Sequence, residues 1–150
     1  MFLTVHAPTG IIIGQYISNP ILAFIIGFIF HYILDMIPHG DTKVDSKYKN
    51  PIHIGTAALF DFILLFFVLI LLFFSNVNLF KPSIITGMLG AMLPDILQGF
   101  YYIYRGKFFK KMQNIHNFFH DSISKKYEMN FVPGIIFQLI ILIILIFIIT

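Results

Sequence analysis

Long apolar segments constrain this chain more than any other feature. A helix of about 20 apolar residues crosses a hydrocarbon core of roughly 30 Å. Three segments approach this length with at most one acidic and no basic residue: 20–37, 52–74 and 131–149. A fourth segment, 83–104, has a helical pattern that Pro94 and Asp95 interrupt. Because only helices and closed barrels span a bilayer, we expect an all-α integral membrane helical bundle with four main transmembrane helices.

The composition agrees with a membrane protein of a single domain, residues 1–150. Of the 150 residues, 58% are hydrophobic and 11% charged, whereas charged residues form about 25% of an ordinary soluble domain. The chain has no cysteine, so disulfides and thiolate metal sites are excluded. The strong metal ligands available are therefore His, Asp and Glu. The first residues lack a basic segment and a cleavage site, so we expect them to be retained.

Two further helices are expected beside the four spans. Residues 9–18 are too short to cross and lie between Pro8 and Pro20, which predicts a short or re-entrant N-terminal helix that the rest of the protein covers. Within 106–127, five apolar residues recur every three or four positions, as in an amphipathic helix on a membrane surface. They are Phe108, Met112, Ile115, Phe119 and Ile123.

Basic residues predict the orientation. Three lysines fall in the loop 38–50 and six basic residues in 105–130, whereas Lys81 is the one basic residue of the connection on the other side. Loops rich in lysine and arginine remain in the cytoplasm, so both basic segments are expected there. The formal net charge of +3 then reflects topology and contact with anionic headgroups of the lipid bilayer. No nucleic-acid partner is expected.

Ionisable side chains inside the predicted spans are the candidate functional residues. Each is costly to insert unless it has a partner, a water-filled cavity or a function. His31 and Asp35 are four residues apart, so they share one helix face. His116 and His120 repeat this spacing on the amphipathic helix, and a pair so spaced can bind one ion.

Depth in the membrane links residues from distant parts of the chain. A helical rise of about 1.5 Å per residue places Asp61 and Asp95 each roughly 15 Å below the cytoplasmic surface and His31 about 10 Å below it. Histidine and aspartate thus reach a similar depth on one side. We therefore expect a metal site at the cytoplasmic edge of the membrane, with these first-choice ligands: His31, Asp35, Asp95, His116 and His120.

Four other residues are assigned lesser roles. His6 and Asp61 are expected to complete or bridge the site, and His6 reaches it only if the N-terminal region folds inward. His39 and Asp41 are candidates for a catalytic proton shuttle. Structural explanations stay open: a buried carboxylate can be protonated or hydrogen-bonded, "PHGD" can be a turn, and histidines of a surface helix can contact headgroups.

Three segments resemble motifs of the membrane-bound metal-dependent hydrolases, whose familiar members are the LexA-regulated inner-membrane hydrolases of bacteria. They are "VHAPTGIIIG" at 5–14, "GFIFHYILDMIPHGD" at 27–41 and "GAMLPDILQG" at 90–99. The resemblance implies metal-binding roles for His6, His31, Asp35 and Asp95 and a place in a bacterial inner membrane. The family's Pro-Asp-x-Asp-His stands here as "PDILQ", and "HNFFHDS" replaces its His-Arg-Gly-x-Thr-His-Ser element. A more remote resemblance is to zinc-dependent phospholipase C, through pairs of ligands four residues apart on helices.

The residues and the resemblance together predict a metal-dependent hydrolase that cleaves a phosphoester or ester. Zn²⁺ is favoured over Mn²⁺ or Fe²⁺, and the candidate ligands suffice for one or two ions. A basic helix over the site favours a lipid-like or phosphorylated substrate. Two alternatives remain: a small ion or metal carrier, which needs polar residues through to the far face, and a non-catalytic membrane scaffold whose buried polar groups are structural. The sequence does not indicate the oligomeric state.

Overall fold

A computed structural model describes residues 1–40, 51–127 and 129–150, and at 51–54, 124 and 125 it describes the backbone alone. Over these residues the chain forms six α-helices and no strand, which confirms the all-α class. The helices are α1 (Leu3–Tyr16), α2 (Pro20–Asp35), α3 (Pro51–Phe74), α4 (Pro82–Tyr104), α5 (Lys107–Tyr127) and α6 (Phe131–Ile149).

Within the described ranges, three helices are long and apolar enough to cross a membrane: Gly55–Phe74 in α3, all of α4 and all of α6. They make the chain compatible with an integral membrane protein. The helix α2, with 16 residues, is apolar but shorter. Three of the four predicted spans are therefore candidate membrane-spanning helices in the structure, and the fourth, which corresponds to the shorter α2, stays a prediction.

The bounds of α2 follow from its flanking residues. The Asn19 side chain accepts hydrogen bonds from the backbone of Ile21 and Leu22, and Pro20 occupies the first helical position, where its missing N–H costs nothing. The helix ends at Asp35, earlier than expected. Pro38 disfavours helical geometry in the residue before it, which stops the helix from continuing.

The N-terminal helix is longer and begins earlier than the sequence predicts. Instead of 9–18, α1 runs from Leu3 to Tyr16 and passes through Pro8, which forgoes a single helix hydrogen bond. Eleven of its 14 residues are buried. It contacts α2, α3, α4 and α6, so it is the central helix of the bundle.

Side chains from two other helices cap the start of α1. The Asp61 carboxylate of α3 accepts hydrogen bonds from the backbone N–H of Leu3 at 2.6 Å and of Thr4 at 3.1 Å, and from the Thr4 hydroxyl. Gln138 of α6 accepts one from the Phe2 N–H at 2.8 Å. The first N–H groups of a helix have no partner within it, so these bonds fix the position of α1.

Glycines allow α1 and α2 to pack closely against α4. A Cβ atom on Gly10 would overlap the backbone of Gly87, and one on Gly90 would overlap the carbonyl of Phe24. Small residues permit this backbone approach in membrane bundles. The expected interruption of 83–104 is absent from the described structure, because α4 continues through Pro94. A proline is tolerated within a membrane helix where neighbouring helices form hydrogen bonds with the backbone groups that the proline leaves unpaired.

Candidate metal centre

Side chains from four helices and from the segment after α2 converge at the end of the bundle where α2 ends. Among the described residues, four of them offer ligand atoms that all lie within 4.8 Å of one another. These four, termed here the four-residue centre, are His31 and Asp35 of α2, Asp95 of α4 and His116 of α5. All four belong to the expected ligand set.

Two imidazole nitrogens and two carboxylate oxygens alternate in the four-residue centre. Nε2 of His31 lies 3.1 Å from Asp35 Oδ2 and 3.6 Å from Asp95 Oδ1. Nε2 of His116 lies 3.0 Å and 3.2 Å from the same two oxygens. Ligands bonded tetrahedrally to zinc at about 2.0–2.1 Å are about 3.3 Å apart. The four nitrogen–oxygen distances are therefore close to the separation of ligands around a single ion.

The hydrogen bonding of His31 supports this interpretation. Its Nδ1 lies 2.8 Å from the Ala91 carbonyl oxygen, which can only accept, so we assign the ring proton to Nδ1. In the neutral ring, Nε2 then carries a lone pair that faces Asp35 Oδ2 and has no hydrogen-bond donor within the described structure, whereas Asp35 Oδ2 also lies 3.0 Å from His116 Nε2. Two buried acceptors at 3.1 Å repel each other. A cation bound between them removes this repulsion.

Burial increases the need for positive charge at the centre. His31 and Asp35 are fully buried, and the Asp95 side chain is 15% exposed. Burial disfavours the charged form of His116, but its contacts with Asp35 and Asp95 outweigh that effect and raise its pKa to about 9. A proton on His116 therefore balances part of the carboxylate charge when no metal is bound.

His6 adjoins the centre from α1. It is fully buried, and its ring stacks on His31 with centroids 4.1 Å apart. Its Nε2 lies 3.1 Å from Asp35 Oδ1 and 3.8 Å from Asp95 Oδ2, the carboxylate oxygens opposite those that face His31. The backbone nitrogen of Met1 also contacts Asp35 Oδ1, at 2.5 Å. The N-terminal region therefore folds inward, which was the condition for His6 to reach the site.

His39 and His120 form a second pair beside the centre. Their Nε2 atoms are 3.1 Å apart, and His39 Nδ1 lies 2.6 Å from the Ile37 carbonyl oxygen. Burial, with a smaller effect of the Met1 ammonium, lowers the pKa of His120 to about 4. The expected ligand His120 therefore contacts His39, the candidate proton shuttle, and lies outside the four-residue centre.

Asp61, like His6 and His120, lies outside the four-residue centre. Asp61 caps α1 because the unpaired N–H groups of that helix attract its carboxylate. In this structure Asp61 positions the helix that carries His6, and its role as a metal ligand stays a prediction. Asp41, the second candidate for the proton shuttle, lies outside the described residues.

Gln138 is a positioning residue that the sequence interpretation missed. It is 2% exposed, and besides bonding Phe2 its amide donates a hydrogen bond to the His39 carbonyl at 2.9 Å. It links α6 both to α1 and to the segment that carries His39. The sequence signal for this role is a single glutamine in a 19-residue apolar helix, because an amide without a hydrogen-bond partner is unfavourable in a membrane.

Comparisons of the chain with protein-family models, with curated proteins and with solved structures give no match. The resemblance to the membrane-bound hydrolases therefore stays a prediction.

Proposed function

We propose that this protein is an integral-membrane, metal-dependent hydrolase of phosphoester or ester bonds. The observation that carries the proposal is the convergence of four ligand atoms within 4.8 Å of one another, contributed by His31, Asp35, Asp95 and His116 from three helices. A structural polar network pairs each acceptor with a donor. A metal site, in contrast, directs several lone pairs at one point.

The four-residue centre supplies the ligands. Two imidazoles and two carboxylates without a thiolate suit Zn²⁺, and they are also acceptable to Mn²⁺ or Fe²⁺. Such an ion, when bound, lowers the pKa of water toward about 7 and polarises a phosphoryl or carbonyl oxygen. The bond from His31 Nδ1 to the Ala91 carbonyl fixes the ring orientation, as is usual for metal-binding histidines.

His39 and His120 are the proposed residues for proton transfer. In hydrolysis, the water oxygen bonds to phosphorus or to the carbonyl carbon, the ester bond breaks, and the leaving oxygen takes up a proton. His39 is next to the centre, and its Nε2 lies 3.1 Å from that of His120. We assign His39 the transfer of the proton from water toward the leaving oxygen, with His120 as its positioning partner.

The test is a hydrolysis assay on purified protein with a panel of chromogenic phosphodiesters and carboxylic esters. We expect activity that chelation abolishes and Zn²⁺ or Mn²⁺ restores, and that His116→Ala and Asp95→Asn remove. Asn114→Ala, an exposed change on the same helix as His116, is the matched control and should keep full activity. Activity that survives chelation, or that both ligand variants retain, would contradict the proposal.

A further inference from the structure

An apolar groove lies between α2 and α5. Its volume is about 470 Å³, within the range of about 300–1,000 Å³ that is usual for ligand pockets. Its lining is almost wholly hydrocarbon and aromatic. It includes Ile29, Tyr32 and Ile33 of α2 and Met112, Ile115 and Phe119 of α5.

Tyr32 separates the groove from the four-residue centre by the width of one ring. Its ring centroid lies 4.9 Å from that of Phe119 in the groove. The same ring lies 5.2 Å from the His31 ring and 6.3 Å from the His116 ring. A molecule in the groove is therefore separated from two of the proposed metal ligands, His31 and His116, by the Tyr32 ring alone.

The groove is continuous with the apolar outer surface of the bundle. Ile29 and Ile33, which line the groove, are 50% and 47% exposed. Ile25, on the same helix but outside the groove, is 47% exposed. In a membrane these side chains contact lipid tails, so a lipid reaches the groove without crossing water. A peptide is a poor occupant, because the lining offers its backbone almost no hydrogen-bond partners.

Positive charge lies at one end of the groove. The first turn and a half of α5 carries three exposed lysines, Lys107, Lys110 and Lys111, directly after the exposed Arg105. Met112, the next residue, lines the groove. Basic residues beside an apolar groove at a membrane surface favour an anionic headgroup over a zwitterionic one.

We propose that the groove binds an acyl chain of an anionic phospholipid, which places the headgroup esters near the four-residue centre and makes a membrane lipid the substrate. The catalytic half of this inference rests on the proposed hydrolase function, whereas lipid binding does not. The reaction is the addition of one water across a headgroup ester bond, which yields an acid and an alcohol.

The test compares two tryptophan variants of α2 by native mass spectrometry in detergent with added phosphatidylglycerol. Ile33→Trp fills the groove, and Ile25→Trp adds the same side chain outside it. We expect Ile33→Trp to lower bound phosphatidylglycerol about tenfold or more, as the exclusion of a few methylene groups implies, and Ile25→Trp to bind like the wild type. Both variants should retain the wild-type metal content, which reports an intact fold.

Other outcomes contradict one proposal at a time. Equal lipid binding by both variants overturns the groove as a lipid site. Unchanged lipid binding with loss of a dimer in Ile33→Trp assigns the groove to a second copy of the chain instead. Phosphatidylcholine bound as tightly as phosphatidylglycerol overturns the headgroup preference. Because binding is measured without turnover, wild-type protein that binds the lipid specifically but hydrolyses no ester contradicts the hydrolase function and leaves the lipid site standing.

Discussion

The two ring nitrogens of His31 contact different elements. Nδ1 donates to the Ala91 carbonyl of α4, while Nε2 faces the carboxylate of Asp35 on its own helix. The contact between His31 and Asp35 could be predicted from their spacing of four residues, because it depends only on helix geometry. The contact with Ala91 could not, because it depends on how α2 and α4 pack.

Replacement of Asp61 by asparagine distinguishes capping from metal binding. We expect Asp61→Asn to destabilise the protein by about 1–3 kcal/mol, because a single amide oxygen replaces the two carboxylate oxygens that accept bonds from Leu3 and Thr4. The metal content of the folded variant should equal that of the wild type. Denaturant unfolding and metal analysis measure the two effects. Loss of metal at unchanged stability would return Asp61 to the ligand set.

The protonation of His116 predicts how metal binding depends on pH. Its pKa is raised to about 9, so at neutral pH the metal must displace a proton from its ring. The deprotonated fraction rises about tenfold per pH unit below the pKa, so the apparent Zn²⁺ affinity should rise about tenfold between pH 7 and pH 8. Competition with a chromogenic chelator measures this affinity. An affinity that is the same at both values would contradict the role of His116 as a ligand.

At the scale of the helices, the length of the apolar segments predicted α3 and α6 well but did not predict α1. Pro8 indicated a boundary, yet α1 starts five residues before it. The start depends on caps that Asp61 and Gln138 provide from distant helices, and a single segment does not reveal such partners. The bounds of α4 agree with expectation to one residue, but the expected interruption is absent, because packing against α1 and α2 supports the helix through Pro94.

Close packing of α2 on α4 predicts sensitivity at Gly90. A Cβ atom there would overlap the Phe24 backbone, whereas one at Gly99 meets nothing within 4 Å. We expect Gly90→Ala to destabilise the protein by about 1–3 kcal/mol and to lower its metal content, since α2 and α4 both carry ligands. Gly99→Ala should be neutral or should stabilise by up to about 1 kcal/mol. Thermal unfolding in detergent measures the stability of the two variants. An equal change in stability for both would contradict close helix contact at Gly90.

At the scale of the whole molecule, the proposed ligands gather at the end of the bundle that carries most of the basic residues. Ser75 is at the opposite end, directly after α3, while Lys111 is on α5 beside the centre. From the positive-inside bias we expect Lys111→Cys to react with an impermeant maleimide only from the cytoplasmic side and Ser75→Cys only from the other. The natural chain has no cysteine, so each variant carries a single reactive thiol. Labelling of sealed vesicles of known orientation tests this, and the reverse pattern would overturn the sidedness.

Metal content measured on purified protein tests the central claim most directly. We expect at least about one equivalent of transition metal per chain after reconstitution with Zn²⁺ or Mn²⁺, because the four-residue centre brings together four side chains of the types that bind metals. His31→Ala, Asp35→Ala and Asp95→Ala should each lower that content. Less than about a tenth of an equivalent in the reconstituted wild type, or an unaltered content in all three variants, would contradict the metal centre.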